Sequence, residues 1–270
     1  MLGDPIAHSL SPVLHRAAYA ELGLDWSYDA VRVPAGGLAS YVEGLGAQWR
    51  GLSLTMPLKR EVVPLLTSRD AWTEISGAAN TLLLDDSGGR HGLNTDVPGA
   101  EAALARATDT PLRTAVVLGG GATAASVLLA LAERGLERAT LAVRDPARAT
   151  DSLAAVARHP RAPTLTVVRH GDLGPTDADV LVSTVPAAAQ TDDVMGLVGD
   201  VPVVFDVVYD PWPTPLVRAA RAGGRTVIDG LELLLWQAVD QVRAMTGRFD
   251  VPVDTMREAG SRALSRPPRH

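Results

Sequence analysis

The stretch VVLGGGATAAS, residues 116–126, limits what this chain can fold into more than any other. An apolar run ends in Gly119-x-Gly121-x-x-Ala124 and passes straight into a helical pattern. A dinucleotide-binding turn has that form. Gly119 makes the tight bend, Gly121 lets the backbone approach a pyrophosphate, and the small Ala124 lets helix pack on strand. The helix start would then offer unpaired N–H groups to phosphate. The plainer reading is a glycine-rich turn with no ligand. A bare motif is weak, but the strand before it and the helix after it favour binding.

The flanking chain repeats the pattern. TAVVL, ATLAV, ADVLVST, PVVFDVVY and RTVI read as strands from Thr114 onward, with PARATDSLAAVARH as a helix carrying Pro near its start. Strands alternating with helices predict βαβ units and a parallel sheet, so the middle of the chain reads as a Rossmann-type unit in an α/β protein. Earlier segments are less regular. SPVLHRAAYAELGL predicts a helix stopping at Gly23, SYDAVRV and WRGLSLTMP predict strands, and NTLLLD with GRHGLNTD predicts a strand pair around DDSGG. VPGAEAALARA and GLELLLWQAVDQVRAMTG read as helices, and LSRPPRH as a disordered tail.

Composition excludes several classes of function. The net charge is −6 with no dense Lys/Arg run, which argues against nucleic acid. There is no cysteine, so disulfides, thiolate metal sites and cysteine nucleophiles are absent, and no metal site is expected. No apolar stretch approaches the roughly 18 residues of a membrane span. The start MLGDPIAHS lacks the basic and apolar regions of a signal peptide, so cytoplasmic residence is the expectation.

Cofactor choice is read after the second strand of the nucleotide unit. There Arg144 and Arg148 lie one helical turn apart and suit a 2′-phosphate, whereas Asp145 could bind a free ribose hydroxyl. The bland reading of all three is solvated charge at a helix start. The two cations favour NADP over NAD.

The first third carries a second group of polar residues. GDPIAHSLSP opens the chain with Ser9 and Ser11 on a proline-stiffened loop, which locally reads as an ordinary turn. GLSLTMPLK places Ser53, Thr55 and Lys59 around Pro57, ISGAANTL places Asn80 at a strand entrance, and GLNTDVPG places Asp96 at a helix start. Taken singly, Lys59 is a surface lysine, Asn80 a turn residue and Asp96 a helix cap. Taken together they set a lysine, an aspartate and several hydrogen-bonding groups beside a hydride-carrier unit.

PIAHSLSP, GLSLTMPLK, SGAANTL, GLNTDVPG, VLGGGATA, STVP, DVVYDPWPTPL and GLELLLWQA, in that order over nearly the whole chain, resemble shikimate dehydrogenases. The resemblance implies that Ser9 and Ser11 hold a substrate carboxylate and that Ser53, Thr55, Asn80, Tyr209 and Gln237 complete the substrate contacts. It implies Lys59 and Asp96 as the catalytic pair of an alcohol oxidation, which needs a hydride acceptor and a base for the hydroxyl proton. A lysine serves where burial and neighbours bring its ionisation into the working range, and an adjacent aspartate holds it while opposing that change. It also implies cofactor contacts from Gly119, Gly120, Gly121, Ala122, Thr123, Ala124, Arg144, Arg148, Val185, Val207 and Gly230. The chain departs from the family in places. Asn is usual at Ser53, Asn at Val143 and Thr at Asp145. The family also begins with a full strand, whereas only Met1 and Leu2 precede Gly3 here, which predicts a natural reading frame that starts upstream.

The expectation is a two-domain enzyme. Residues 1–96 with 231–270 form the substrate domain, residues 97–230 form the NADP domain, and the active site lies between them. The implied reaction interconverts 3-dehydroshikimate and shikimate with NADP, by a monomer or homodimer. The alternatives are an NAD-preferring enzyme acting on quinate or aminoshikimate, and a non-catalytic NADP-binding regulator, which retention of Lys59 and Asp96 disfavours. A hydrolase using Ser9 or Ser183 lacks the G-x-S-x-G elbow.

Overall fold

The computed structural model describes residues 1–174, 176–199 and 201–265, with the side chain of Arg148 outside the description. The chain divides into two compact units. One comprises Met1–Gly99 and Leu234–His270, the other Ala100–Leu233.

The discontinuous unit begins with β1 (Leu2–Gly3), α1 (Ser11–Glu21), β2 (Val31–Arg32), α2 (Leu38–Glu43), β3 (Gly51–Ser53) and α3 (Leu58–Glu61). It continues with β4 (Ser68–Arg69), α4 (Ala71–Ser76), β5 (Thr81–Leu84) and β6 (Arg90–Leu93). Strands order as β3-β5-β6-β4, with β3/β5 and β5/β6 antiparallel and β4/β6 parallel. The pair β1/β2 is parallel, and Leu2 also bridges Leu54.

The expected strand pair around DDSGG forms because Asp85 Oδ1 accepts from Ser87 N (2.9 Å) and Gly89 N (2.7 Å), while Gly88 takes φ +86°. SYDAVRV and WRGLSLTMP shrink to two- and three-residue strands. The first has only the short β1 to pair with. In the second, Thr55 leaves the ladder when its N–H donates to Leu2 O.

The contiguous unit follows α5 (Asp96–Ala107), which carries the chain into it. Its elements are β7 (Thr114–Leu118), α6 (Ala122–Glu133), β8 (Arg138–Val143), α7 (Thr150–Ala157), β9 (Thr164–Arg169) and β10 (Val180–Ser183). Then come α8 (Asp192–Gly196), β11 (Val203–Asp206), α9 (Pro215–Ala222) and β12 (Thr226–Ile228). The helix α10 (Gly230–Thr246) returns to the first unit, which ends with α11 (Val253–Leu264).

The parallel sheet orders as β12-β11-β10-β7-β8-β9. Counting β7 as first, that is 3-2-1-4-5-6 from the β9 edge, the doubly wound dinucleotide-binding order. β7, β10 and β11 are apolar and buried almost throughout, as strands covered on both faces must be.

The structure corrects several sequence expectations. PARATDSLAAVARH divides into a 3-10 turn at Pro146–Ala149 and the shorter α7. PVVFDVVY stops being a strand at Asp206, because that buried carboxylate accepts from Gln190 Nε2 (2.8 Å), Thr214 Oγ1 (2.6 Å) and Val208 N (3.3 Å) and draws the chain off the ladder. β9 and α11 had no counterpart in the sequence reading. Leu264 closes α11, and residues 266–270 of the expected disordered tail lie outside the described residues. None of the described helices is long and apolar enough to cross a membrane.

Candidate active site

Glycine builds the opening loop of the discontinuous unit. A Cβ on Gly3 would sit 2.3 Å from Thr55 Cγ2 and 2.9 Å from Met56 O, so only glycine lets the loop lie against residues 55–57. Backbone bonds from Asp4 N to Met56 O and from Thr55 N to Leu2 O, both 2.9 Å, hold it there. Pro12 lies in the first turn of α1, which its fixed φ suits. Just before it, half-buried Ser9 accepts at Oγ from Ser11 N (3.3 Å). Ser11 is buried, and its hydroxyl has no hydrogen-bond partner among the described residues. Thr55 is half-buried.

Lys59 sits in α3 and Asp96 opens α5, where the positive end of the helix dipole favours a carboxylate. Their side chains meet with Nζ to Oδ2 at 2.5 Å, leaving 13% and 7% of the two side chains exposed. Asn80, on the approach to β5, holds the other carboxylate oxygen: its Nδ2 donates to Asp96 Oδ1 at 2.8 Å. The same nitrogen lies 2.9 Å from Thr95 Oγ1 and 3.1 Å from Gln237 Oε1. Asn94 secures the helix start by accepting at Oδ1 from Asp96 N (3.0 Å). So Lys59, Asp96, Asn80 and Gln237 are brought together by four separate stretches of chain.

A second layer of polar residues lies behind Asn80, and the sequence reading missed most of it. Gln241 accepts at Oε1 from Ser53 Oγ (2.9 Å) and pairs there with His15 Nε2 (3.1 Å). It donates from Nε2 to Thr81 Oγ1 (2.9 Å) and Asn80 O (3.2 Å). Ser53 is fully buried and also accepts from Tyr28 Oη at 2.6 Å, so its hydroxyl belongs to this layer. A signal was present: Gln237 and Gln241 stand four apart, on one face of a helix.

His15 stacks on Tyr28 with ring centroids 4.1 Å apart, and burial pushes its pKa down from 6.5 to about 3. The unfolded chain takes up a proton at this residue near pH 6.5 and the folded chain only near pH 3. Its contribution to stability is therefore full above pH 6.5 and is lost as pH falls through that window. The slope reaches at most about 1.4 kcal/mol per pH unit. Melting curves at neutral and mildly acidic pH check this. The wild type is expected to melt lower in acid, and His15→Gln, though less stable at neutral pH, to lose less on acidification.

In the contiguous unit, Gly119 takes φ +105°, and a Cβ there would lie 2.3 Å from Thr184 Oγ1. Gly120 faces Val143 and Ala149, whose atoms would lie 3.0–3.1 Å from an added Cβ. Among the described residues nothing lies within 4 Å of the Gly121 Cβ position, and Gly121 precedes α6 with no side-chain cap. Ala122 and Thr123 are half-buried in the first turn, and Ala124 is buried. This is an open backbone cradle at a helix start, and it fits a pyrophosphate.

Arg144 is exposed just after β8. Asp145 caps the 3-10 turn, its Oδ1 accepting from Ala147 N at 3.1 Å. The side chain of Arg148 lies outside the described residues. Val185 stands beside Gly119, and Val207 donates its N–H to Ser183 O (3.0 Å). Gly230 must be glycine, because its Cβ would come within 2.6 Å of Val207 O. Tyr209, half-buried, follows β11 in this unit.

Residues 1–82 match the family model for the shikimate dehydrogenase substrate binding domain, and residues 230–259 that for the shikimate 5'-dehydrogenase C-terminal domain. A protein of Methanothermobacter thermautotrophicus named shikimate dehydrogenase (NADP(+)) is 34% identical over 280 residues, covering 98% of this chain and 96% of that one. The chain belongs to the shikimate dehydrogenase family. The shikimate dehydrogenase of Mycobacterium tuberculosis superposes with a TM-score of 0.86 at 37% identity, with 97% of each chain covered. The Thermus thermophilus shikimate 5-dehydrogenase, solved in complex with NADP(H) and shikimate, gives a TM-score of 0.84 at 32% identity, covering 97% of this chain and 98% of that one.

Proposed function

We propose that this member of the shikimate dehydrogenase family catalyses the reversible NADP-dependent reduction of 3-dehydroshikimate to shikimate. The observation that carries the reading is the partly buried Lys59–Asp96 pair, 2.5 Å apart and tied through Asn80 to a structured interior. NADPH, held by the glycine cradle, would supply the hydride for the ketone carbon. As the ketone oxygen becomes a hydroxyl it needs one proton, and Lys59 Nζ delivers it. Asp96 keeps the ammonium in place and accepts a hydrogen bond from the hydroxyl. In the oxidative direction the same two groups take the proton away.

Ser9 and Ser11 stand as the carboxylate clamp. The unpartnered Ser11 hydroxyl supports this, because a buried donor without a partner costs about 1–3 kcal/mol that a ligand can recover. Thr55, Asn80 and Gln237 complete the substrate contacts within this unit. The cradle from Gly119 to Ala124 holds the pyrophosphate, Arg144 holds the 2′-phosphate, and Val185, Val207 and Gly230 line the rest of the cofactor site.

The deciding experiment is a spectrophotometric assay of shikimate oxidation with NADP and with NAD, repeated with quinate. Turnover fastest with shikimate and NADP is expected. No turnover under any pairing would sink the proposal. A second measurement addresses the clamp. Ser9→Ala combined with Ser11→Ala is expected to weaken shikimate binding at least about tenfold, each hydrogen bond to a charged group being worth roughly 1.5–3 kcal/mol. NADP affinity should hold constant in calorimetric titration. Unchanged shikimate affinity would return the loop to an ordinary turn.

A further inference from the structure

We infer that Thr81 and Gln241 are positioning residues for the Lys59–Asp96 pair, acting through the side-chain amide of Asn80. The inference rests on the reading of that pair as the proton-transfer centre.

The argument begins at Asp96 Oδ1. Only the nitrogen end of the Asn80 amide can donate to it, at 2.8 Å. Turned over, the amide would set its oxygen against a carboxylate oxygen, two acceptors with no proton between them. Donors at the far end decide the orientation. Asn80 Oδ1 accepts from Thr95 N and from Thr81 Oγ1, each at 2.9 Å.

A threonine hydroxyl has a single proton to give. Gln241 Nε2 donates to Thr81 Oγ1 at 2.9 Å, which occupies a lone pair and leaves that proton for Asn80. Gln241 is oriented in its turn: its oxygen accepts from Ser53 Oγ, and its nitrogen also donates to Asn80 O. Ser53 accepts from Tyr28 Oη. The bonds therefore run in one direction, Tyr28 to Ser53 to Gln241 to Thr81 to Asn80 to Asp96.

Thr81, Gln241, Asn80, Ser53 and His15 are all at most 1% exposed, so water does not compete for these partners. In such surroundings each bond polarises the next, and an unmet polar group is costly. The chain thus holds the amide that holds the carboxylate that holds the lysine. Thr81 and Gln241 act on the pair through Asn80, so they are positioning residues and not catalytic ones.

Thr81→Val keeps the shape and removes the hydroxyl, and Thr81→Ser keeps the hydroxyl and removes a methyl. Gln241→Met removes the donor at the other end of the link. Each is assayed beside Lys59→Met for kcat, both KM values and melting temperature. Thr81→Val and Gln241→Met are expected to lower kcat about five- to tenfold, the loss of one well-placed hydrogen bond, with KM for NADP unchanged. Thr81→Ser is expected to restore most of kcat even if it melts no higher than Thr81→Val. A purely structural role would tie activity to melting temperature and give no such rescue.

Normal kcat in both Thr81→Val and Gln241→Met, with Lys59→Met inactive, would overturn the inference and leave the proton-transfer pair standing. Equal kcat losses in Thr81→Val and Thr81→Ser would also overturn it. Normal turnover in Lys59→Met would overturn both.

Discussion

A Lys59→Met enzyme is expected to turn over at least about a hundredfold more slowly than wild type, the lower end of what general acid–base assistance contributes. Methionine keeps much of the aliphatic length of lysine, so shikimate should still bind. What disappears is the group that carries the proton. The variant also leaves Asp96 Oδ2 without the partner it has at 2.5 Å, and removing one member of a buried pair destabilises the fold. The measurement therefore needs a melting curve beside the kinetics, so that loss of chemistry is not confused with loss of folded protein. Asp96→Asn is expected to cost less, because an amide in that position still offers an oxygen to Asn80 Nδ2. Near-normal kcat in Lys59→Met would mean that the proton travels by another route.

Arg144→Ala is expected to raise KM for NADP by about tenfold or more while leaving KM for NAD almost unchanged. A hydrogen bond to a charged group is worth roughly 1.5–3 kcal/mol, and each 1.4 kcal/mol is a factor of ten. Arginine suits a phosphate because its planar fork donates two bonds at once and stays charged at every working pH. The structure weakens the objection that Asp145 raised in the sequence. That carboxylate accepts from Ala147 N and caps the turn beginning at Pro146, so it is engaged within its own segment. The check is kcat/KM with both cofactors in wild type and variant. A wild type that already prefers NAD would reverse the assignment and make Asp145 the selecting residue.

The parts of this molecule that were legible in sequence are those where a local pattern has one structural meaning. A buried apolar run, three glycines and a helix pattern fold one way, and residues 114–133 do so. Asp85, Ser87 and Gly88 specify a turn within five residues, so the pairing of β5 with β6 could be read directly. β9 was harder. It alternates half-buried and exposed residues at the sheet edge, where the apolar signal is weakest. Helix α11 buries only Met256 and Gly260 fully, so little of its pattern is apolar.

At the candidate site, Lys59, Asp96 and Asn80 emerged from ordered motifs rather than from any local rule. Their supports did not emerge. Thr81 reads as a strand residue, His15 as a polar letter in an amphipathic helix, and Gln241 as part of a helix surface. Each gains its role from a partner far along the chain: Gln241 meets Thr81 across 160 positions and His15 across 226. Single-residue patterns hold no record of such pairings.

The split of the first unit between Met1–Gly99 and Leu234–His270 sets an order of events during synthesis. The contiguous unit, Ala100–Leu233, is complete on the nascent chain while its neighbour still lacks α11 and most of α10. Lys59, Asn80 and Asp96 all leave the ribosome early, yet Gln237 and Gln241 follow only after an entire unit has been made. Until they arrive, Leu14 and Ala18 of α1 lack the apolar residues of α10 and α11 they are buried with, Val239 and Met256 among them. Loop-closure entropy rises only logarithmically with length, so the long detour adds little to the final equilibrium. Its effect is on timing: the half-built unit exposes apolar surface until the last helices emerge, the condition under which nascent chains aggregate or need chaperones.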